Sequence, residues 1–460
     1  MLDSHHRIIF IILFGALLLG GFSISSQAKV RQVPLSGEKC VIIKSINLGG
    51  DTLVFPQGVI VHFRRGVISN GHIRFNENRI KAKEKRIFDN VTTEGSILND
   101  EIIVKWFGCS PKTFDKDNFT ILKYTILPLA IRSKANVFHS EKGTYKIWGQ
   151  YPIYESSWKA DHTFIRDFRG IAIHGTGHKT VIKATKYTDG KNPSDVFCLV
   201  DLKNLTIRDL GITADHVTND PSVSGTNGVS LNETIENVTI ENCFIFHLPS
   251  NYASEHVTVD GGHGVTIQAA DKNTIQRNIY VYKNLIRDVS LGLDFSKGEL
   301  GATGIVDNVV FDNNTVEDSY VGFYSHGFHE DALKGSLVTN NLFKNCQYGI
   351  YGYALQGFVF SHNNILTTKR VIKDTKITND SYGVLMYGPK DIKLIDNTIN
   401  LEYGASSITI DIVSENPKYN GYVENVEIRG NLIKGRKGAN NSLIKDERFV
   451  KGLIIDDISY

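Results

Sequence analysis

Beyond residue 228, apolar and polar side chains alternate in short bursts, and each burst opens on a glycine. The bursts are Gly228-Val229-Ser230-Leu231, Gly264-Val265-Thr266-Ile267, Gly292-Leu293-Asp294-Phe295, Gly322-Phe323-Tyr324, Gly349-Ile350-Tyr351 and Gly383-Val384-Leu385-Met386. Period-two alternation marks a strand, because successive side chains leave opposite faces. A second motif, an amide followed by an apolar pair, runs between them. It reads Asn284-Leu285-Ile286, Asn314-Thr315-Val316, Asn341-Leu342-Phe343, Asn364-Ile365-Leu366, Asn397-Thr398-Ile399 and Asn431-Leu432-Ile433. From residue 264 to 383 the glycine recurs after 28, 30, 27 and 34 residues. A repeat of this size, built from strands and turns, predicts an all-β solenoid, a single-stranded parallel β-helix.

Coils of such a solenoid stack about 4.8 Å apart, as neighbouring strands do. An Asn at the same turn of each coil can then bond its amide to the coils above and below. The Asn positions at 284, 314, 341, 364, 397 and 431 are read as that ladder, and Cys243 occupies the equivalent place one coil earlier. In the glycine-led strand, Val229, Val265, Leu293, Phe323, Ile350 and Val384 should point inward. Ser230 and Asn232, Thr266 and Gln268, Asp294 and Ser296, Tyr324 and His326, Tyr351 and Tyr353, and Leu385 and Tyr387 should then point out. Ser325 and Gly352 fall at inward places, which predicts that those two strands are short.

The first half is less regular. Val41-Ile42-Ile43, Thr52-Leu53-Val54-Phe55, Val59 to Phe63 and Gly71 to Phe75 alternate around the turn signals Gly49-Gly50-Asp51 and Ser69-Asn70-Gly71. Residues 29–105 are therefore read as N-terminal β-rich coils or a cap. Asp115 to Lys134 fits an N-capped amphipathic helix, interrupted by Pro128 and so kinked or short, and suited to covering the open end of a stack. At the start, Arg7 closes a short polar stretch, Ile8 to Phe22 is almost wholly apolar, and Ser26-Gln27-Ala28 has the small-x-small form of a cleavage site. The apolar run is roughly 15 residues against the 20 or so of a membrane span. Residues 1–28 are expected to be an export signal, which places the mature chain in the periplasm, at the cell surface or outside, with no stable membrane span.

The net charge of +2 and the absence of a Lys/Arg cluster give no pull toward nucleic acid. The five cysteines are widely spaced, with no C-x-x-C pair or Cys/His cluster for a metal. No cofactor is expected, and the thiols are read as buried and single.

Asp117 to Ile147, a helix followed by Val137-Phe138-His139 and Gly143-Thr144-Tyr145, resembles the opening of pectate-lyase-superfamily proteins. Ile171-Ala172-Ile173-His174-Gly175-Thr176-Gly177 followed by Thr180-Val181-Ile182 is similar to their first full coil. The later Asn repeats match right-handed parallel β-helix proteins. The resemblance spans most of residues 106–440 and implies a right-handed parallel β-helix over 106–460. The superfamily includes polysaccharide lyases, hydrolases, epimerases, esterases and non-catalytic adhesins, so the fold does not choose the reaction.

The outward positions carry the candidate chemistry. A flat stripe of Tyr, His, Asn and Gln suits a sugar chain, since aromatic rings pack on pyranose faces and amides pair with hydroxyls. Gln268, Tyr351, Tyr353, Tyr387 and His263 are the candidate substrate-binding residues. Asp294 is the one carboxylate on the outward strand positions between 228 and 387, with Tyr324 and His326 one coil on and Lys297 in the adjoining turn. These four are the candidate catalytic residues. A lyase would take His326 or Tyr324 as base, with Lys297 or Gln268 neutralising a uronate carboxylate. An inverting hydrolase would need a second carboxylate, Glu299 or Glu330, about 6.5–9.5 Å from Asp294. Gly262-His263-Gly264 is similar to the Gly-His-Gly of polygalacturonase-type hydrolases, but their Asp-Asp and Arg-x-Lys partners are missing from the adjoining coils. The partner expected is an extended, uronic-acid-containing polysaccharide, to be cleaved by lyase or hydrolase chemistry or simply bound.

Overall fold

A computed structural model of the chain describes residues 30–32, 39–153, 166–186, 195–215, 225–248, 262–268, 274–296, 305–326, 333–334, 336–353, 355–367, 381–401, 406–411, 423–435, 450–451 and 454–456. The expected export signal lies outside these residues. The chain divides into two compact units, residues 1–113 with 120–140 and residues 114–119 with 141–460.

In the first unit the described strand pairs are parallel. Thr52 stands opposite His72, and His72 opposite Thr92, a coil of 20 residues. Phe55, Phe63, Phe75 and Phe88 are buried between the strands, and Phe88 stacks on Phe107 at 4.8 Å. The expected helix is present from Asp115 to Ser133, as α-helical pieces Asp115–Ile121 and Leu127–Ser133 joined by a π-turn at Leu122–Ile126. Pro128 cannot donate to the carbonyl four residues back, and the wider turn directly precedes it.

In the second unit each coil crosses three columns of parallel strands. One column is a ten-stranded sheet that runs in chain order from Gly143–Trp148 to Leu432–Gly435. The glycine-led strands form another, in the register Ser230, Thr266, Asp294, Tyr324, Tyr351, Leu385, Thr409. The third runs through Ile275–Tyr282, Ile305–Asp312, Ser336–Thr339, Phe358–Ser361 and Lys390–Ile395. The long strands Asp195–Arg208 and Asn227–Glu241 pass through both of the latter columns. This register makes the chain a parallel β-helix.

Two features hold the coils in step. Asn284, Asn314, Asn341, Asn363, Asn397 and Asn431 form a buried amide ladder. From Asn314 on, each ladder oxygen accepts from both the backbone and the side-chain N–H of the Asn one coil before it. For Asn314 the distances are 3.1 and 3.0 Å, and its own amide donates to Val281 O at 2.8 Å and to Asn341 Oδ1 at 3.0 Å. The fourth rung is Asn363, not Asn364: the register sets Asn364 beside Leu342, which turns its side chain to the outside. Cys243 does occupy the preceding rung, where its N–H donates to Asn284 Oδ1 at 2.9 Å. The second feature is the glycine column. A Cβ on Gly264 would lie 2.5 Å from Gly292 O and 2.6 Å from an Ile286 methyl, so the close approach of coil and core admits no side chain there.

The six predicted inward residues are all buried. The strands at Ser325 and Gly352 are not shortened, contrary to expectation. Val321–His326 and Tyr348–Tyr353 stay in register, and the small residues leave interior room for larger ones. A Cβ on Gly352 would lie 2.2 Å from Leu355 Cδ1, and Phe358 packs against both Phe295 and Phe323. All five cysteines are buried.

Candidate active face on the glycine-led sheet

Three outward columns run up the glycine-led sheet. The residue before each glycine supplies the first: His263, Leu291, Val321, Tyr348 and Tyr382. Thr266, Asp294, Tyr324, Tyr351 and Leu385 form the second, and Gln268, Tyr353 and Tyr387 belong to the third, whose backbone register passes through Ser296 and His326.

The lower coils are polar. Asp294 is 0 % exposed, so it does not stand in solvent as an outward strand-end carboxylate would. Thr266 Oγ1 donates to Asp294 Oδ2 at 2.6 Å, and His263 Nδ1 lies 3.0 Å from the same oxygen. A buried carboxylate needs such partners, because losing water costs several kcal/mol. His263 is 9 % exposed and opens the strand His263–Gln268; it is part of the strand and not of a turn. Its backbone N–H donates to Asn227 Oδ1 at 3.1 Å. Asn227 Nδ2 in turn donates to Asp195 Oδ1 at 3.0 Å, and the buried Ser230 hydroxyl donates to the same carboxylate. One polar network thus runs across four coils from Asp195 to Asp294. Burial, and then the negative charge of Asp195, push the Cys198 thiol well above its ordinary range, so it stays protonated and is a poor nucleophile.

The upper coils are aromatic. Tyr348 stacks on Tyr382 at 5.6 Å and Tyr353 on Tyr387 at 5.1 Å. Tyr351 is 3 % exposed and packs with Leu291, Val321, Tyr348 and Leu385 in an apolar cluster outside the helix. Its hydroxyl bonds that of Tyr353, and burial together with the neighbouring tyrosines drives its pKa far above the usual range. Tyr351 therefore serves as a wall rather than a proton carrier. Tyr324, half-buried and 5.6 Å from Tyr351, stands at the junction, one rung above Asp294.

Comparison with solved structures finds similar chains at low identity. The A-module of the Azotobacter vinelandii mannuronan C-5 epimerase AlgE6 is 14 % identical, covering 78 % of this chain and 96 % of its own, with a TM-score of 0.46. The Acinetobacter baumannii phage AM24 tailspike protein is 13 % identical over 78 % of this chain and 55 % of its own, with a TM-score of 0.47. A Yersinia enterocolitica family 28 exopolygalacturonase is 9 % identical over 92 % of this chain and 73 % of its own, with a TM-score of 0.34. Neither a protein-family model nor a curated protein matches the chain. The fold assignment rests on the strand register.

The structure brings Asp294, Tyr324 and His263 together. Gln268 is half-buried two residues beyond Thr266, opposite Ser296. The backbone of His326 stands opposite Ser296 and Tyr353; its side chain lies outside the described residues, as does Lys297 with Glu299 and Glu330. Sequence reasoning missed Asp195, Asn227, Tyr348 and Tyr382 as members of this face. The signal was available: Tyr348, Tyr382 and His263 each stand directly before a repeat glycine. Among the described residues no group of three or more His, Cys, Asp or Glu could hold a metal ion. No described helix is long and apolar enough to cross a membrane.

Proposed function

We propose that this chain is an exported, right-handed parallel β-helix that acts on a uronic-acid-containing polysaccharide as a lyase, with helix 115–133 capping the stack. The observation that carries the reading is the buried Asp294–His263 pair at the foot of an in-register tyrosine stripe. In this reading the sugar chain lies along the columns, with Tyr353 and Tyr387 against pyranose faces and Gln268 donating to a hydroxyl or carboxylate. Asp294 orients the His263 ring through Nδ1, leaving Nε2 as the basic nitrogen. Removal of the proton beside the uronate carboxylate turns that C–H pair into a C=C bond. The C–O bond to the 4-linked sugar breaks, and its oxygen takes a proton from the Tyr324 hydroxyl. Lys297 is assigned to neutralising the uronate carboxylate, and His326 is the alternative base.

The carboxylates favour a lyase over an inverting hydrolase. Among the described side chains of these columns they are Asp195 and Asp294, three rungs apart. At about 4.8 Å per rung that is about 14 Å, beyond the 6.5–9.5 Å or so that an inverting pair needs. The self-packing of Tyr348, Tyr351 and Tyr382 favours a second reading, a face that binds glycan without cleaving it.

The test is digestion of uronic-acid and neutral polysaccharides, reading ultraviolet absorbance of unsaturated ends and new reducing ends on the same samples. Unsaturated products that disappear in His263→Ala and fall in Tyr324→Phe support the lyase. Reducing ends without unsaturation overturn it in favour of hydrolysis. Binding with neither signal moves the assignment to the second reading.

A further inference from the structure

The first unit carries a cleft of its own, of about 580 Å³, lined by residues of that unit alone. We propose that it binds a neutral pyranose unit, a glycan contact independent of the glycine-led face. Its floor is apolar, made by buried Phe88 and Phe107. One wall is Tyr124, which is 59 % exposed. The ring offers a flat apolar face to a sugar ring.

The other wall is a short ladder of amides. Asn90 Nδ2 donates to Asn70 Oδ1 at 3.0 Å, and Asn70 Nδ2 donates to Asn47 Oδ1 at 3.3 Å. Asn70 and Asn90 hold left-handed backbone angles, φ 56° and 48°, which Asn tolerates better than most residues. Those angles lift both amides onto the coil corner, where they are exposed. The bonds between them pre-set their orientation, which reduces the ordering cost of binding. His72 adds a ring nitrogen on the same wall, fixed by Thr92 Oγ1 through Nδ1 and by Glu94 at 3.4 Å from Nε2.

The charge balance selects the ligand. The described lining itself contains no Asp, Glu, Lys or Arg; Lys123 Nζ stands 5.3 Å from the centre of the Tyr124 ring, and Lys123 is not among the lining residues. Beyond His72 stands Glu94, already bonded by Arg74. An apolar floor, an aromatic wall and a row of neutral amides match the hydroxyls and C–H faces of an uncharged sugar. The volume accommodates one or two rings.

The experiment is saturation-transfer NMR on the full chain with cellobiose, maltose, lactose and a glucuronic-acid disaccharide, followed by calorimetry on whichever binds. At least one neutral disaccharide should bind. Tyr124→Ala should weaken it about five- to tenfold, Asn90→Ala about two- to fivefold, and Tyr382→Ala, on the other face, should leave it unchanged. Tyr124 and Asn90 are exposed, so their variants should keep the parent's thermal transition. The proposal fails if no neutral disaccharide binds, if the uronate binds best, or if the signal follows Tyr382 instead of Tyr124. None of those results bears on the lyase reading, which is decided by the digestion products.

Discussion

The outer face of the glycine-led sheet has two halves built on one backbone. From residue 195 to 296 it carries Asp195, Asn227, Ser230, His263, Thr266 and Asp294, tied into one polar network by hydrogen bonds and by the 3.0 Å approach of His263 Nδ1 to Asp294 Oδ2. From residue 321 to 387 the same columns carry Val321, Tyr324, Tyr348, Tyr351, Tyr382 and Tyr387, which pack on one another. Beneath them runs one glycine corner from Gly228 on and one amide ladder from Asn284 on. A solenoid thus separates what holds the coil together, which repeats, from what the coil presents, which does not. The lower half can hold and move a proton; the upper half can lie flat against a ring. The reacting centre proposed above falls where they meet, at Asp294 and Tyr324.

The sharpest way to break this contrast is Asp294→Asn. The amide keeps the shape but loses the charge that orients His263. The expected result is a fall in kcat/KM on uronate glycan of about 10²- to 10⁴-fold, the usual span for general acid–base groups, with the urea midpoint nearly unchanged. A loss of under about tenfold would return the lower half to a structural role.

The claim that the two halves share one scaffold is tested at the ladder. Asn314→Ala, under the junction, and Asn397→Ala, in the aromatic half, each leave buried N–H and C=O groups unpaired. At about 1–3 kcal/mol per group, each should cost about 2–4 kcal/mol in urea unfolding, and the two should agree closely. A markedly cheaper Asn397→Ala would show that the aromatic packing, not the ladder, carries the upper coils.

The smallest effect concerns pH. The folded-state pKa of Tyr351 is raised by burial and by its tyrosine neighbours. Its contribution is therefore fully present below the unfolded value, about 10, and is lost as pH rises above it. The alkaline slope of stability should be shallower in Tyr351→Phe, by up to about 1.4 kcal/mol per pH unit above pH 10. Comparing slopes separates this from the lost Tyr353 hydroxyl bond, which acts at every pH. Parallel slopes would mean that Tyr351 is open to water.

Much of this was legible in the chain. The inward positions of the glycine strand follow from period two alone, because a buried strand face must be apolar. The ladder was readable at five of its six Asn, since stacking repeats a residue type at a repeated turn. It slipped at Asn363-Asn364 because two adjacent amides satisfy the same pattern, and only the pairing of Leu342 with Asn364 shows which one faces in. Local sequence likewise set the helix, whose wide turn at Leu122–Ile126 lies ahead of Pro128.

Tertiary structure alone decided the site. Nothing local tells that Asp294 is buried, because an outward strand position is open or covered according to what packs against it. Nor does sequence bring His263 to Asp294, one coil away and three positions along the strand, across a bend at the glycine column. Asp195 joins the same network from three coils below. Periodicity records which face a side chain leaves by; its neighbours on that face come from coils tens of residues distant, and only the stacking register brings them into contact.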